Sequence, residues 1–532
     1  MRSWLLPILL ALLLMQAVLA LPASPAALGW GTWLRPAPEL LAILLLAVAL
    51  GRGWTALPLR LAVVGLLTPV TVLKVADLAM LQTLGRRFNP VGDLPLIDAS
   101  VRLIAGSLGV AAAVTAVLGA ILATVLIAAG LWWAMGKLMR LAPAGRGPRM
   151  AGLAGAAMLV GAVSVLPGHG IAIPVPQTAA FAADRLELSR RTLTELRRFR
   201  EMAAEDAMAG LAQPLSLIDR DVLVIFLESY GRTSFDTDFF SSAHLPILRE
   251  AQAALEARGL ATASGFVTSP THGGQSWLAH ATLANGLWVS DQTRYQAAIA
   301  SGRRTLFHHA AEAGFRTAAV MPAIVRPWPE AATMGFQRIL AAPDLGYRGQ
   351  PFNWVTMPDQ FTLTATDRLL RDGSDPRPLF AQIALISSHA PWTPVPRMLD
   401  WEAIGDGTEF DAMAQEGDPP SVVWRDYDRV RAQYRDTISY GLTAVLEYAA
   451  RQERPPLILL VGDHQAATTI GLDDRREVPL HVIGPPDLVA RTLDWGLRPG
   501  LIPPAGLPAM PMDRIRDDFL RNFSGVSDVP PA

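Results

Sequence analysis

The sequence predicts two folds in one chain: an N-terminal α-helical transmembrane bundle of about five spans, then an α/β extracytoplasmic domain with a mainly parallel sheet flanked by helices. Three observations predict this. Apolar segments crowd the first 170 residues, acidic residues crowd the remainder, and short Val/Ile/Leu-rich runs alternate with helical stretches after residue 220. Of 532 residues, 51% are hydrophobic and 17% charged. Residues 1–170 hold four acids (Glu39, Asp77, Asp93 and Asp98) against twelve Lys/Arg, whereas the rest hold 43 acids and 34 Lys/Arg. Neither half carries the basic patch that nucleic-acid binding requires. Cysteine is absent, which excludes disulfides, zinc–thiolate sites, Cys nucleophiles and any Cys-derived formylglycine. A metal would need carboxylate, imidazole or hydroxyl ligands.

In the first half (residues 1–170) the apolar segments run over 4–21, 38–51, 57–80, 103–135 and 150–168. A helix needs ~20 apolar residues to span a bilayer. The second segment is short unless it reaches Trp54, so five spans is the preferred count and four the alternative. The first segment resembles a signal peptide in length, but four spans follow and Leu21-Pro22 is a poor cleavage site, so it reads as an uncleaved span. Arg2, Arg52, Arg60, Lys137, Arg140, Arg146 and Arg149 outnumber Arg35, Lys74, Arg86, Arg87 and Arg102. That bias favours an N-terminus inside and the soluble half outside the cytoplasm. Lys occurs only at 74 and 137, and Ala, Pro and Gly are abundant. This points to a GC-rich bacterial genome and so to a bacterial inner membrane, with the second half in the periplasm.

Residues 171–220 read as a linker. IAIPVPQ is extended, and DRLELSRRTLTELRRFREM places Leu and Phe at helical spacing among many Arg. It fits an amphipathic helix on the membrane surface, or one packed on the soluble domain.

The catalytic domain is expected over 221–500, followed by a Pro- and Met-rich tail, 501–532, without a readable motif. Strands are expected at Val222–Leu227, Thr317–Met321, Leu379–Ile386, Leu457–Val461 and Leu480–Ile483. Helices are expected at Leu245–Ala257, Ser276–Leu287, Phe361–Arg371 and Tyr427–Ala450. Strand ends carry the chemistry. VLVIFL ends in Glu228, AQIALI in Ser387-Ser388-His389-Ala390-Pro391-Trp392, and PLILLV in Gly462-Asp463-His464. Open α/β sheets bind ligands at such ends. Gly273-Gly274-Gln275-Ser276 opens a helix, where glycines let a ligand approach and free N–H groups favour anions. Taken singly, Ser276 fits an ordinary N-cap. Taken together, Glu228, Asp463 and His464 with the Ser276 oxygen make one divalent metal site suited to Mn²⁺, Mg²⁺ or Zn²⁺. His272, His280, Asp473, Asp474 and His481 are further candidates for a second ion.

At these residues the sequence resembles the alkaline phosphatase/sulfatase superfamily, in its lipoteichoic acid synthase-like branch of membrane phosphoglycerol and phosphoethanolamine transferases. VIFLES, the nucleophile turn, SSHAPW and GDH occur in that family's order. The resemblance implies Ser276 as nucleophile; Glu228, Ser276, Asp463 and His464 as ligands of one Mn²⁺-like ion; and His389 as a contact to the substrate phosphate or leaving group. Three departures stand out. The family usually employs Thr, so Thr271 is a rival to Ser276. It places an Arg two residues after a pocket Trp, whereas Trp328 here is followed by Pro329-Glu330 and preceded by Arg326, which would take that contact. The sulfatase signature C/S-x-P-x-R is missing at Ser269-Pro270-Thr271, arguing against sulfate-ester hydrolysis. The implied activity is transfer of a phosphoglycerol headgroup from phosphatidylglycerol to a cell-envelope glycan through a covalent phospho-serine. The alternatives are phosphoethanolamine transfer and a membrane-anchored phosphodiesterase or phosphatase.

Overall fold

The computed structural model describes residues 5–29, 31, 33, 36–143, 145–165, 177–326 and 328–525. Arg2, Arg35, most of IAIPVPQ and the last seven residues of the tail lie outside the described residues. The chain divides into two compact units: residues 1–82 with 86–194, and residues 83–85 with 195–532.

The first unit contains α1 (Leu5–Ala20), α2 (Pro38–Leu50), α3 (Ala56–Thr83), α4 (Pro95–Leu108), α5 (Val110–Leu138) and α6 (Arg146–Val165). It also holds the start of α7 (Gln177–Ala204). Two stretches are helical, long and apolar enough to cross a membrane, Gly53–Thr83 and Val110–Leu141. α1 and α2 are apolar but shorter; at 13 residues, α2 spans only about 20 Å. The expected 103–135 span is broken: Gly109 adopts φ +90°, a backbone conformation that L side chains rarely adopt, and α5 begins after it. Leu118, Leu122 and Leu126 are about 60% exposed on one stripe of α5, an apolar surface left uncovered among the described residues. Lys74 is not a loop charge. It is buried in α3 and donates to the Leu19 carbonyl (3.1 Å) and Thr178 Oγ1 (3.0 Å).

In the second unit, β1 (Val222–Leu227) is followed by α8 (Asp238–Ala257), β2 (Ala261–Thr268), α9 (Ser276–Asn285), β3 (Arg316–Met321) and β4 (Arg338–Ala341). Then come α10 (Asp359–Leu370), β5 (Leu379–Leu385), α11 (Tyr427–Arg451), β6 (Leu457–Gly462) and β7 (Glu477–Gly484). The unit closes with β8 (Arg498–Pro499), β9 (Met510–Pro511) and α12 (Arg514–Phe523). The sheet runs β4-β3-β5-β1-β6-β7-β2-β8, with β9 on β2. It is mixed rather than mainly parallel. The five strands from β4 to β6 are parallel, while β7 is antiparallel to both β6 and β2. β2, ATASGFVT, was not expected because Ala, Ser and Gly dilute its apolar pattern.

β1 is wholly buried because alternate residues face two cores. Leu223, Ile225 and Leu227 pack with Phe240 of α8, Phe361 of α10 and Tyr434 of α11. Val222, Val224 and Phe226 pack with Leu283 of α9 and Phe519 of α12. The last helix therefore packs into this domain: Ile515, Phe519, Leu520 and Phe523 are fully buried. Leu196, Phe199 and Ala203 of α7 also join a cluster with Leu278 and Ala281 of α9.

Candidate active site

Three neighbouring strands end in register. Leu227 pairs with Leu385 on one side and Gly462 on the other, so Glu228, the Ile386–His389 turn and Asp463 emerge side by side, strands ~4.8 Å apart. Gly462 is needed there because a Cβ would lie 1.9 Å from the Tyr230 carbonyl oxygen. The fourth component arrives from α9, whose first residue is Ser276. Gly273 (φ +71°), Gly274 (φ +146°) and Gln275 (φ +68°) form the turn before it, and Gln275 holds a left-handed conformation costly for a non-glycine residue.

The four residues expected to form the site meet. Ser276 Oγ donates to Glu228 Oε2 at 2.8 Å and lies 3.3 Å from His464 Nε2. His464 Nε2 is 3.1 Å from Glu228 Oε1 and 3.9 Å from Asp463 Oδ1. Asp463 Oδ1 accepts the backbone N–H groups of Ser229 (2.8 Å) and His464 (2.7 Å). Three residues to which sequence reasoning gave no bracing role hold the cluster. Ser388 Oγ donates to the Glu228 carbonyl, Tyr434 to the Ser229 carbonyl, and Ser269 Oγ to the Asp463 carbonyl. SSHAPW contains the first of them, but only the tertiary fold gives these hydroxyls their targets.

Burial opposes charge on Glu228, yet His464 and His389 outweigh it and hold its carboxyl well below the usual range. Burial and then the Glu228 charge push Asp463 up to about 8. Burial disfavours the charged form of His464, but Asp463 and Glu228 together carry it up to about 9. Two carboxylates this close resist joint ionisation unless positive charge lies between them. A divalent cation fits: Glu228, Asp463 and His464 are buried and each offers a ligand atom within 4.8 Å of the others. Ser276 Oγ sits on the same cluster.

Thr271, the rival hydroxyl, donates instead to the Gly274 carbonyl and braces the turn. His389 follows β5 on the same sheet edge, and its ring stacks on Trp354 with centroids 4.0 Å apart. No sequence signal had marked Trp354. Arg326 and Trp328 follow β3, two strands from β1 along that edge. Arg326 is exposed, while Trp328 packs on Phe336; no ion pair or hydrogen bond joins either to the four-residue cluster among the described residues. Of the candidates for a second ion, His481 is a core residue bonded to Tyr230 (3.1 Å) and Ser264 (2.7 Å), and Asp473 is paired with Arg475. His272 is bonded to the Asp473 carbonyl. His280 lies one turn beyond Ser276 against Phe226, with neither ring nitrogen hydrogen-bonded.

Asp359 at the start of α10 positions the His389 turn. Its Oδ1 accepts the Ile386 and Ser387 N–H groups at 2.8 and 2.9 Å, and burial raises its carboxyl to about 6. A carboxyl raised in the fold stabilises below its unfolded value and loses that contribution as pH rises through 6. Wild type should therefore lose up to about 3 kcal/mol relative to Asp359→Asn between about pH 4 and 6. Thermal unfolding of both proteins across that range measures it, and parallel curves would contradict it.

Residues 220–482 match a family model described as Sulfatase. The lipooligosaccharide phosphoethanolamine transferase A (EptA) of Neisseria meningitidis is similar over 96% of this chain and 95% of its own, at 12% identity and TM-score 0.45. The lipoteichoic acid synthase LtaP of Listeria monocytogenes covers 54% of this chain and 70% of its own, at 12% identity and TM-score 0.36. The Streptococcus pyogenes phosphoglycerol transferase GacH, solved with sn-glycerol-1-phosphate, covers 63% and 92%, at 13% identity and TM-score 0.36. No curated protein sequence matches the chain.

Proposed function

With residues 220–482 a sulfatase-family domain, we propose that the protein is a membrane-embedded, metal-dependent phosphotransferase. It moves a phosphoglycerol headgroup from phosphatidylglycerol to a glycan acceptor of the cell envelope, through a covalent phospho-serine at Ser276. The observation that carries the reading is the Ser276 hydroxyl, held against both Glu228 and His464 at a helix start. In a chain without cysteine, and lacking the C/S-x-P-x-R signature, that hydroxyl supports phosphoryl transfer over sulfate-ester hydrolysis.

A divalent ion, Mn²⁺ with Mg²⁺ and Zn²⁺ as alternatives, would be held by Glu228, Asp463, His464 and Ser276, and supplies Lewis acidity toward the hydroxyl and the phosphate. Ser276 Oγ attacks phosphorus and diacylglycerol leaves as the alcohol. The α9 N-terminus and His389 stabilise charge on the phosphoryl oxygens; Arg326 and Trp328 contact the headgroup from the next loop along the edge. An acceptor hydroxyl then attacks the phospho-serine and frees Ser276. The two long apolar helices and the exposed apolar stripe on α5 support embedding in a membrane; with the Lys/Arg distribution of the sequence we extend this to five spans, an inside N-terminus and a periplasmic catalytic domain in a bacterial inner membrane.

Trp354→Ala removes the ring that fixes His389, worth about 1 kcal/mol. It should lower kcat/KM roughly fivefold, read in a diacylglycerol-release assay. The function itself is tested with glycerol-labelled phosphatidylglycerol and a glucan acceptor. Label on the glucan with stoichiometric diacylglycerol supports transfer. Free glycerol phosphate alone would convert the reading to a hydrolase, and turnover confined to phosphatidylethanolamine would change the donor.

A further inference from the structure

The first unit holds a second cluster of phosphate-binding chemistry. Where α2 and α5 end and α3 begins, an open cleft of about 440 Å³ is lined by Gly51, Arg52, Arg60, Gly136, Met139 and Arg140. Arg60 is pre-oriented: its Nε and Nη2 both donate to the Trp132 carbonyl, at 2.9 and 2.5 Å, and its guanidinium lies 3.8 Å from the Trp132 ring centroid. The glycines permit this approach. A Cβ on Gly136 would lie 2.8 Å from Arg60 Nη2, and one on Gly51 2.9 Å from the Met139 carbonyl oxygen.

The four carboxylates within residues 1–170 are engaged elsewhere. Glu39 caps the start of α7 through Thr178, Asp77 meets Arg185, Asp93 meets Arg86, and Asp98 meets Arg102. Three guanidinium groups share the cleft, whose lining among the described residues includes no carboxylate, and their mutual repulsion is relieved by an anion. The fork of an arginine matches phosphate oxygens. Trp54, Leu57 and Leu61, all more than half exposed, stand close by in sequence as apolar surface for acyl chains, and Trp favours the membrane–water interface.

We propose that this cleft binds a phosphate group, that of an acidic phospholipid headgroup in the adjoining leaflet, separately from the Ser276 site. The proposal rests on the membrane reading above. Full-length protein in phosphatidylcholine nanodiscs is compared with protein in discs that also contain phosphatidylglycerol. Phenylglyoxal labelling of individual arginines is read by peptide mass spectrometry. Arg52, Arg60 and Arg140 should label several-fold more slowly with phosphatidylglycerol, while Arg304 and Arg316 of the second unit stay unchanged. Arg52→Gln/Arg140→Gln, both at exposed positions, should remove the protection of Arg60.

Protection by inorganic phosphate in phosphatidylcholine discs would show that free phosphate also enters. Protection by phosphatidylglycerol alone would assign the site to the lipid. Equal labelling in both discs with phosphate ineffective overturns the proposal. A chain that cannot enter nanodiscs overturns the membrane reading and this proposal together.

Discussion

Ser276→Ala is expected to lower turnover by on the order of 10³-fold or more with little change in unfolding temperature. Its Oγ bonds only into the polar cluster, to Glu228 and His464, and α9 is fixed by Leu278, Ala279, Leu283 and Ala284, all buried. Thr271→Ala is the matched control. Thr271 Oγ1 is committed to the Gly274 carbonyl, so its loss loosens the turn and leaves a chemically competent nucleophile. The two variants, assayed for diacylglycerol release beside thermal unfolding, separate the rival hydroxyls. A larger loss in Thr271→Ala than in Ser276→Ala would reverse the assignment.

Removing the metal is expected to have the other large effect. Chelation should abolish turnover and lower the unfolding temperature, because it leaves Glu228 and Asp463 facing one another with only the nearby His464 and His389 to compensate their charge. At an ion concentration 100 times Kd the bound cation stabilises by about 2.7 kcal/mol. Adding back Mn²⁺, Mg²⁺ and Zn²⁺ separately, with activity and unfolding temperature both recorded, identifies the ion that serves. Glu228→Gln should raise the required metal concentration by at least about 10–100-fold. An unfolding temperature and activity indifferent to chelation would argue that the cluster works as a hydrogen-bonded set without a cation.

Much of the site was legible because its parts sit where strand patterns stop. VLVIFL and PLILLV are continuous apolar runs, so the first polar residue after each, Glu228 and Asp463, falls at a sheet edge regardless of how the strands are ordered. What a strand run does not carry is direction. The expected strand Leu480–Ile483 forms as the core of β7 but runs antiparallel, and its partner β2 escaped notice because Gly265 and its small neighbours give no strand period. His481 looked like a spare metal ligand in sequence; the register that sets it opposite Ser264 makes it a core hydrogen-bonding residue.

The C-terminal region shows the same limit. Ile515, Phe519, Leu520 and Phe523 have helical spacing, but their burial depends on a groove built by β1, β5 and residues 208–218. Arg516, fully buried against Asp206, has no local signature at all. In the first unit, hydropathy located the helices yet missed the break at Gly109. Trp354 became visible only when the fold stacked it on His389.

The most direct test of the central claim is the mass of the Ser276 peptide. Full-length protein purified from membranes is incubated with phosphatidylglycerol and Mn²⁺, quenched in acid and digested. A gain equal to one phosphoglycerol group on Ser276, accompanied by diacylglycerol and absent from Ser276→Ala, is the predicted result. An unmodified Ser276 peptide from protein that is turning over the lipid would contradict the covalent mechanism.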